Sequence, residues 1–511
     1  MPIFKKPKAL QEISEVASWP VYVIGITASM GGFMFGADTG QISGFLIMKD
    51  YLRRFANDRG NGIYKFENTR EGLIVGLISI GALCGALIAA PLSNKFGRRT
   101  VMIAAAIVFW AGNTVQITAQ WAWYQIMIGR FISGLGVGSL SALVPVYVSE
   151  TVPKEVRGTL VAAYQLFITL GILVSYLINL GTSRVEYNSG CWRGAMAIQY
   201  LWSGILILGM LFLPESPRWL MTHDRHKDTI RALRFIAGKK NRDNKEFINS
   251  EFDEILQMVE VQRTLPKTQW YSAFVPRERV LYRTVLGFAL GSFQQLTGAN
   301  YFFYYGASTF QSVGISNAYV TQIILGAVNV ICTFPGLYFI EKYGRRKPLI
   351  WGGLWQCLWL IVYGTVGSAG DPSSSRIGAV LIVASCMFIA GFASTWGPGV
   401  WVAIGELFPL RVRAQSAALA TVGNWTFNFL LTFFTPFIVT AINYRYGYIF
   451  AGCNLLAVIT VFLFYYESSN LSLEHIDMMY NDPSVKPWKS SSKVGPTRDD
   501  FPYRDDAIRR Q

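Results

Sequence analysis

The chain has 511 residues, 52% of them hydrophobic and 15% charged, with a mean hydropathy of +0.32. Soluble domains average about a quarter charged residues, so a string of ordinary water-soluble domains is excluded. The net charge of +15 comes from Lys and Arg placed beside long apolar runs, with no basic stretch interleaved with aromatics, a pattern of membrane topology rather than of a nucleic-acid face.

The first segment, residues 1–20, carries Lys5, Lys6 and Lys8. It has no apolar run before Trp19 and no small-residue cleavage site, so no cleaved signal peptide is predicted and the first span serves as the insertion signal. Uncharged runs, each near the roughly 20 residues that a helix needs to cross the hydrocarbon layer, predict spans near 21–47, 72–92, 100–119, 122–148, 158–181 and 195–213. A polar interval, 214–282, follows; helical spacing of apolar residues around Ile230–Ile236 and Phe252–Val259 predicts short amphipathic helices there rather than a catalytic domain. Six more spans are predicted near 284–310, 320–340, 348–367, 377–405, 414–440 and 446–466. The expected organisation is a six-helix half over 21–213, the linker, a second half over 283–466, and a disordered tail over 467–511.

An even number of spans puts both ends on one side, and their basic residues assign the cytoplasm. One loop disagrees: residues 49–71, expected outside, carry Lys49, Arg53, Arg54, Arg59, Lys65 and Arg70. The other expected outer loops are short and nearly uncharged.

The halves repeat each other. KFGRR at 95–99 returns as KYGRR at 342–346, each between the second and third span of its half. Glu150 and Arg157 close the fourth span as Glu406 and Arg413 close the tenth, both displaced by 256 residues. Two kinds of motif in matching places indicate a duplication, and parallel six-span repeats are the plan of the major facilitator superfamily, with substrate bound between the halves near the midplane. The six cysteines show no paired spacing, and His223, His226 and His475 lie in charged segments, so neither a disulfide framework nor a metal site is predicted.

Two charges sit inside spans, Asp38 in the first and Arg130 in the fourth. Each costs about 2.5–3.5 kcal/mol at a helix centre, so both are expected to face the bundle and pair. A static ion pair that fixes packing is one reading. The other is a carboxylate that gains and loses a proton, with Arg130 favouring its charged form while the pair is closed. Gly32, Gly36, Gly40 and Gly44 recur every four residues, a seam for close helix approach. Asp38 lies opposite that seam, with Phe35 and Gln41 expected beside it on a cavity-lining face. GLGVG at 134–138 lacks the preceding strand and the acidic ribose ligand of a dinucleotide loop.

Gln165, Gln294, Gln295, Asn300, Asn329, Asn424 and Asn428 interrupt spans of both halves, accompanied by Trp396, Trp401 and Trp425. An isolated amide is ordinary interhelical glue. Amides gathered from two halves donate and accept at once, which suits vicinal hydroxyls, and a flat aromatic suits the C–H face of a pyranose. A neutral polyhydroxylated solute is expected.

With these residues in view the chain resembles the sugar porter family of the major facilitator superfamily from about residue 20 to 480. The matching strings include GGFMFGADTGQISG (31–44), GRFISGLGVG (129–138), PVYVSETVPKEVRG (145–158), PESPRWL (214–220), QQLTGANYFFYY (294–305) and WGPGVWVAIGELFPLRVR (396–413). FGADTGQISGFL most resembles fungal hexose transporters. The resemblance implies an all-α fold of twelve transmembrane helices and hexose transport by alternating access, by a monomer in the plasma membrane. It places sugar contacts on Phe35, Gln165, Gln294, Gln295, Asn300, Tyr304, Asn329, Trp401, Asn424 and Trp425, and proton coupling on Asp38 with Arg130. It places a cytoplasmic gate on Arg98, Arg99, Glu150, Arg157, Glu215, Arg345, Arg346, Glu406 and Arg413. The gate's charge-assisted bonds are expected to close the inner face when the carrier faces outward. Facilitative animal glucose carriers are similar but have a neutral residue at the Asp38 position, which favours proton symport; some fungal facilitators keep the Asp.

The chain departs from the pattern at Asn94, where the family has Asp, and at ESSN (467–470), where it has ETKG. The alternatives are an uncoupled hexose or pentose/polyol carrier and a sugar sensor, whose relatives carry long tails where about 45 residues follow the last span here. An enzyme is not predicted, since the spans hold no nucleophile–base pair or metal cluster, and no cofactor is expected.

Overall fold

The structure is a computed structural model describing residues 18–185, 188–264, 270–275, 279–312, 317–369, 375–409, 412–469, 471, 473–482 and 485–490. In the first half, α1 (Trp19–Phe45) is followed by a short helix α2 (Lys49–Phe55) and a two-residue antiparallel hairpin, β1 (Asn57–Asp58) with β2 (Tyr64–Lys65). Then come α3 (Asn68–Phe96), α4 (Arg98–Ile117), α5 (Trp123–Thr151), α6 (Lys154–Thr182) and α7 (Gly190–Phe212). The interval between the halves holds α8 (Pro217–Thr222), α9 (His226–Asn241) and α10 (Lys245–Thr264).

The second half opens with a broken span, α11 (Val280–Leu296) and α12 (Ala299–Ser312), hinged at Gly298 with φ +94°. It continues with α13 (Ala318–Tyr343), α14 (Arg346–Ala369) and a second interrupted span. There α15 (Ser375–Gly391) passes through a π turn at Phe392–Trp396 into α16 (Gly397–Leu407). The last two spans are α17 (Arg413–Ile442) and α18 (Tyr446–Phe464). Among the described residues, ten stretches are apolar and long enough to cross a membrane; one of them, Gln415–Phe464, contains two spans, and the broken α11–α12 pair is a further one, giving twelve. At 1.5 Å rise per residue a 27-residue helix reaches about 40 Å, enough to cross a hydrocarbon core of roughly 30 Å and emerge on both sides.

Packing follows the small-residue seams. Gly32, Gly36 and Gly40 of α1 lie against the backbone carbonyls of Tyr164, Ile168 and Ile172 of α6, so that a Cβ at any of them would collide with main chain. GLGVG is likewise a packing surface: Gly134 and Gly138 of α5 abut the carbonyls of Ile78 and Ala82 on α3.

The basic loop at 49–71 is partly neutralised in place. Arg54 pairs with Asp50 at 2.7 Å and lies over the Trp121 ring, while Arg70 donates to the Phe55 carbonyl and lies over Trp123.

The bundle has a GRR end, carrying both GRR loops and α8–α10, and an α2 end. The halves meet towards the α2 end. Thr440 donates to Asn68, Ser79 to Asn428 (2.8 Å), and Tyr176 to the Phe303 carbonyl (3.1 Å). Towards the GRR end, Gly158 and Gly405 face open space. The bonds between the halves shut the central cleft at the α2 end, and at the GRR end the pairs Arg98–Glu150 and Arg345–Glu406 each stay within one half, the arrangement of a cleft open at that end.

The segment after α18 differs from the expected disordered tail. Residues 473–481 form α19 (Leu473–Asn481), Arg283 of α11 pairs with Asp477, and Glu467 is buried. The buried Arg283 and the backbone N–H groups of Arg345 and Arg346, all on the bundle, give the carboxylates of this short stretch something to fold against. Residues 491–511 and 1–17 lie outside the described residues.

Candidate functional site

The amides of the second half are drawn into one network. Gln294 and Gln295, adjacent on α11, face α17. Asn424 donates to the Gln294 side-chain oxygen (2.8 Å) and to the Gly291 carbonyl (3.0 Å), and accepts from the Gln295 amide (3.0 Å). Asn300, two residues beyond the hinge, and Asn428, one turn beyond Asn424, both donate to the Gln295 oxygen. Gln294 donates to the carbonyls of Trp396 and Gly397 (3.1 and 2.8 Å), groups released from ordinary helix geometry by the π turn. Each amide is thus oriented by another, which fixes where its remaining donors and acceptors point.

The first half supplies the facing wall. Phe35 meets Trp425 edge to face at 5.4 Å across the halves, and Thr39, one turn on, lies 3.4 Å from the Tyr304 hydroxyl. Gln165 of α6 is half-buried with its amide directed towards Gly397. Asn329 is buried on α13. Of the expected sugar contacts, Phe35, Gln294, Gln295, Asn300, Tyr304, Asn424 and Trp425 come together through these bonds and ring contacts. Trp401 stands apart, 39% exposed on α16.

Asp38 and Arg130 are joined in the core of the first half at 3.2 Å, both nearly inaccessible. The pair is loose: one guanidinium nitrogen reaches both carboxylate oxygens (3.2 and 3.5 Å), another reaches the Val75 carbonyl at 3.5 Å, and Nε has no partner. A carboxylate held this way has capacity left for another partner.

Two residues expected at the cavity serve elsewhere. Gln41 turns to α7, donating to the Ala195 carbonyl and accepting from Gln199, because α1 is packed on both flanks at that level. Trp396 is fully buried and its indole donates to the Leu349 carbonyl, so it anchors the π turn to α14.

The expected gate residues form two matching sets. Arg98 grips Glu150 with two nitrogens (3.0 and 3.1 Å), and Arg345 grips Glu406 in the same way (3.0 and 2.8 Å). Glu215 accepts the backbone N–H of Arg98 and Arg99 at the start of α4. The Arg99 side chain donates to the Leu211 carbonyl as that of Arg346 does to Phe462. Arg157 donates to the Val152 carbonyl, and Arg413 begins α17. These Arg–Glu pairs stay within their own half, as they must while the GRR end is open.

Sequence reasoning missed Glu467, which accepts the N–H groups of Arg345 and Arg346 at the start of α14 as Glu215 does for α4. It also missed Ser216 and Ser468, which donate to Glu150 (2.6 Å) and Glu406 (2.7 Å). The signal was available in the shared Glu–Ser of PESPRW and ESSN. Asn94, in place of the family's Asp, still accepts from Arg98 at 3.1 Å.

Residues 24–480 match the family model described as "Sugar (and other) transporter". The chain belongs to this sugar transporter family. It is 43% identical to a high-affinity glucose transporter of Schizosaccharomyces pombe, over 92% of this chain and 89% of the relative. It is 41% identical to a high-affinity fructose transporter of the same yeast, over 92% and 88%, and 39% identical to a hexose transporter of Saccharomyces cerevisiae, over 94% and 89%. Among solved structures it is similar to the major facilitator superfamily proton:xylose symporter XylE bound to 6-bromo-6-deoxy-D-glucose. That match has a TM-score of 0.74 and 25% identity, covering 90% of this chain and 99% of that one. The transporter is thus a multi-pass membrane protein with the twelve-helix major facilitator fold.

Proposed function

We propose that this transporter carries a hexose, glucose or a close relative, across the plasma membrane by alternating access, with a proton moving in the same direction. The observation that carries the reading is the oriented network Gln294–Gln295–Asn300–Asn424, set at the seam between the halves opposite the Phe35–Trp425 contact. Such a wall offers paired donors and acceptors to ring hydroxyls and an aromatic surface to the sugar's C–H face. In this reading Tyr304, Gln165 and Asn329 complete the polar lining. Trp401, exposed while the cleft is open, covers the sugar when α16 swings in.

The GRR end is read as cytoplasmic, with both termini there, since Lys95, Arg98, Arg99, Arg157, Arg345 and Arg346 gather at that end. The open cleft then faces inward. In the outward-facing form the sets Arg98–Glu150–Glu215 and Arg345–Arg346–Glu406, with Arg157 and Arg413, are brought across the seam to hold the inner gate. Protonation of Asp38 removes the charge that holds Arg130 and frees α1 to shift against α5. The carrier works as a monomer, each chain holding both halves of one site.

Uptake of labelled glucose by cells lacking their own hexose carriers, with a panel of hexoses, pentoses and polyols as competitors, tests the substrate class. Competition by glucose and fructose well above that by xylose or sorbitol is the expected result. Equal competition by polyols would overturn the hexose assignment.

A further inference from the structure

At the GRR end, beside the latch of the first half, lies a cleft of about 430 Å³ between the ends of α3 and α7, the start of α4, and α9. One stripe at the start of α9 faces it: Arg225, the residue that caps the helix, then Asp228, Arg231 and Phe235, spaced at three and four residues. Arg225 and Arg231 share a single carboxylate, that of Asp228, at 2.7 and 3.0 Å. Arg99 enters from the opposite wall with one nitrogen on the Leu211 carbonyl. The other carboxylate of the lining, Glu215, is occupied by the backbone N–H groups of Arg98, Arg99 and Ser216. Three guanidinium groups against two engaged carboxylates leave one net positive charge, with guanidinium N–H groups still open.

The cleft's rim is apolar and lies where spans end. Phe96 is the last residue of α3 and Phe212 the last of α7, and these residues are 50% and 82% exposed. Large aromatics with that exposure, directly beside arginines, match the boundary between acyl chains and headgroups. Topology alone would scatter cations over this face; it does not gather them into a concave site with an aromatic lip.

We propose that this cleft binds an anionic glycerophospholipid. The arginines of α9 and Arg99 hold the headgroup phosphate, and the acyl chains run over Phe96 and Phe212. The leaflet concerned is the cytoplasmic one, a point that rests on the orientation given above. The occupied cleft ties α9 to the end of α7 and to the start of α4, which carries Arg98, adjoining the latch.

The test is native mass spectrometry of the purified full-length chain with phosphatidylserine, phosphatidylcholine or inorganic phosphate added. A retained phosphatidylserine adduct is expected in preference to phosphatidylcholine. R225Q/R231Q should weaken it about thirtyfold, R225K/R231K should keep most of it, and inorganic phosphate should not displace it. The proposal is overturned if both lipids bind alike, if R225Q/R231Q binds phosphatidylserine as the wild type does, or if inorganic phosphate competes equally. Gel-filtration profiles of the variants separate misfolding from loss of the site. A wild type that retains phosphatidylserine yet moves no hexose would remove the transport reading and leave this site standing.

Discussion

Glu467 stands to the N-terminus of α14 as Glu215 stands to that of α4. Each carboxylate accepts two successive backbone N–H groups, from Arg345 and Arg346 in one half and from Arg98 and Arg99 in the other. In each case the preceding glycine, Gly344 at φ +85° or Gly97 at φ +96°, turns the chain so that the amides point at the carboxylate. A negative charge at a helix N-terminus is favourable, and here it also holds the arginine that grips Glu406 or Glu150.

Glu467→Gln and Glu215→Gln should therefore have parallel effects. Hydrogen bonds to a charged group contribute about 1.5–3 kcal/mol, and the amide keeps an acceptor but loses the charge. Each variant should lower the thermal midpoint of the purified transporter, with maximal uptake falling more than apparent affinity. A change in affinity alone would place these residues at the sugar rather than at the gate.

Asp38→Asn removes the charge facing Arg130 while keeping the size of the side chain. Concentrative uptake of labelled glucose should be lost and counterflow exchange retained. If accumulation persists, Asp38 is a packing residue and coupling does not run through it; a wild type that never accumulates glucose would be an uncoupled carrier.

Asn424 donates to Gln294 and accepts from Gln295, so Asn424→Ala leaves two neighbours without their orienting partner. A cost of about 1–3 kcal/mol for unpaired buried amides predicts a rise in apparent KM of roughly 5- to 150-fold with the protein still folded. Normal KM would exclude the network from sugar recognition.

Gly36 touches the Ile168 carbonyl, and main chain cannot move aside as a side chain can. Gly36→Leu should abolish the monodisperse peak in fluorescence-detected gel filtration. Gly452→Ala, in a helix where a Cβ meets open space, should leave it unchanged.

Asp224 joins the turn after α8 to Arg263 of α10 at 2.9 Å, and that hydrogen bond and charge hold its carboxyl below the usual carboxylate range. A depressed carboxylate stabilises above its unfolded value and ceases to as pH falls through the folded one. Protection factors for amide exchange, with the intrinsic pH dependence divided out, should be steady in the turn after α8 from neutral pH down to about pH 4 and fall modestly below that. Asp224→Asn should show the looser behaviour throughout.

Much of this molecule was legible without coordinates. Apolar runs of bilayer length fix spans, because lipid rejects unsatisfied backbone and charge alike. The four-residue spacing of Gly32, Gly36, Gly40 and Gly44 fixes a contact face, because helical periodicity alone decides which side they occupy. Repeated GRR and Glu–Arg spacings declare the two halves. Asp38 and Arg130 could be paired from their charges, since two opposite ions within one apolar half have few other partners.

Tertiary structure decided what periodicity leaves open. Gln41 shares a helix side with Asp38, yet it bonds α7 rather than the cavity, because a helix face spans more than one neighbour. Trp396 and Trp401 lie in one motif, but the π turn between α15 and α16 buries the first and exposes the second. The role of Glu467 depends on a fold that returns the end of α18 to the start of α14, a meeting over more than 120 residues that no local pattern encodes. Which end of the cleft stands open was likewise beyond the sequence, since the same residues must serve both states and only their arrangement in space distinguishes them.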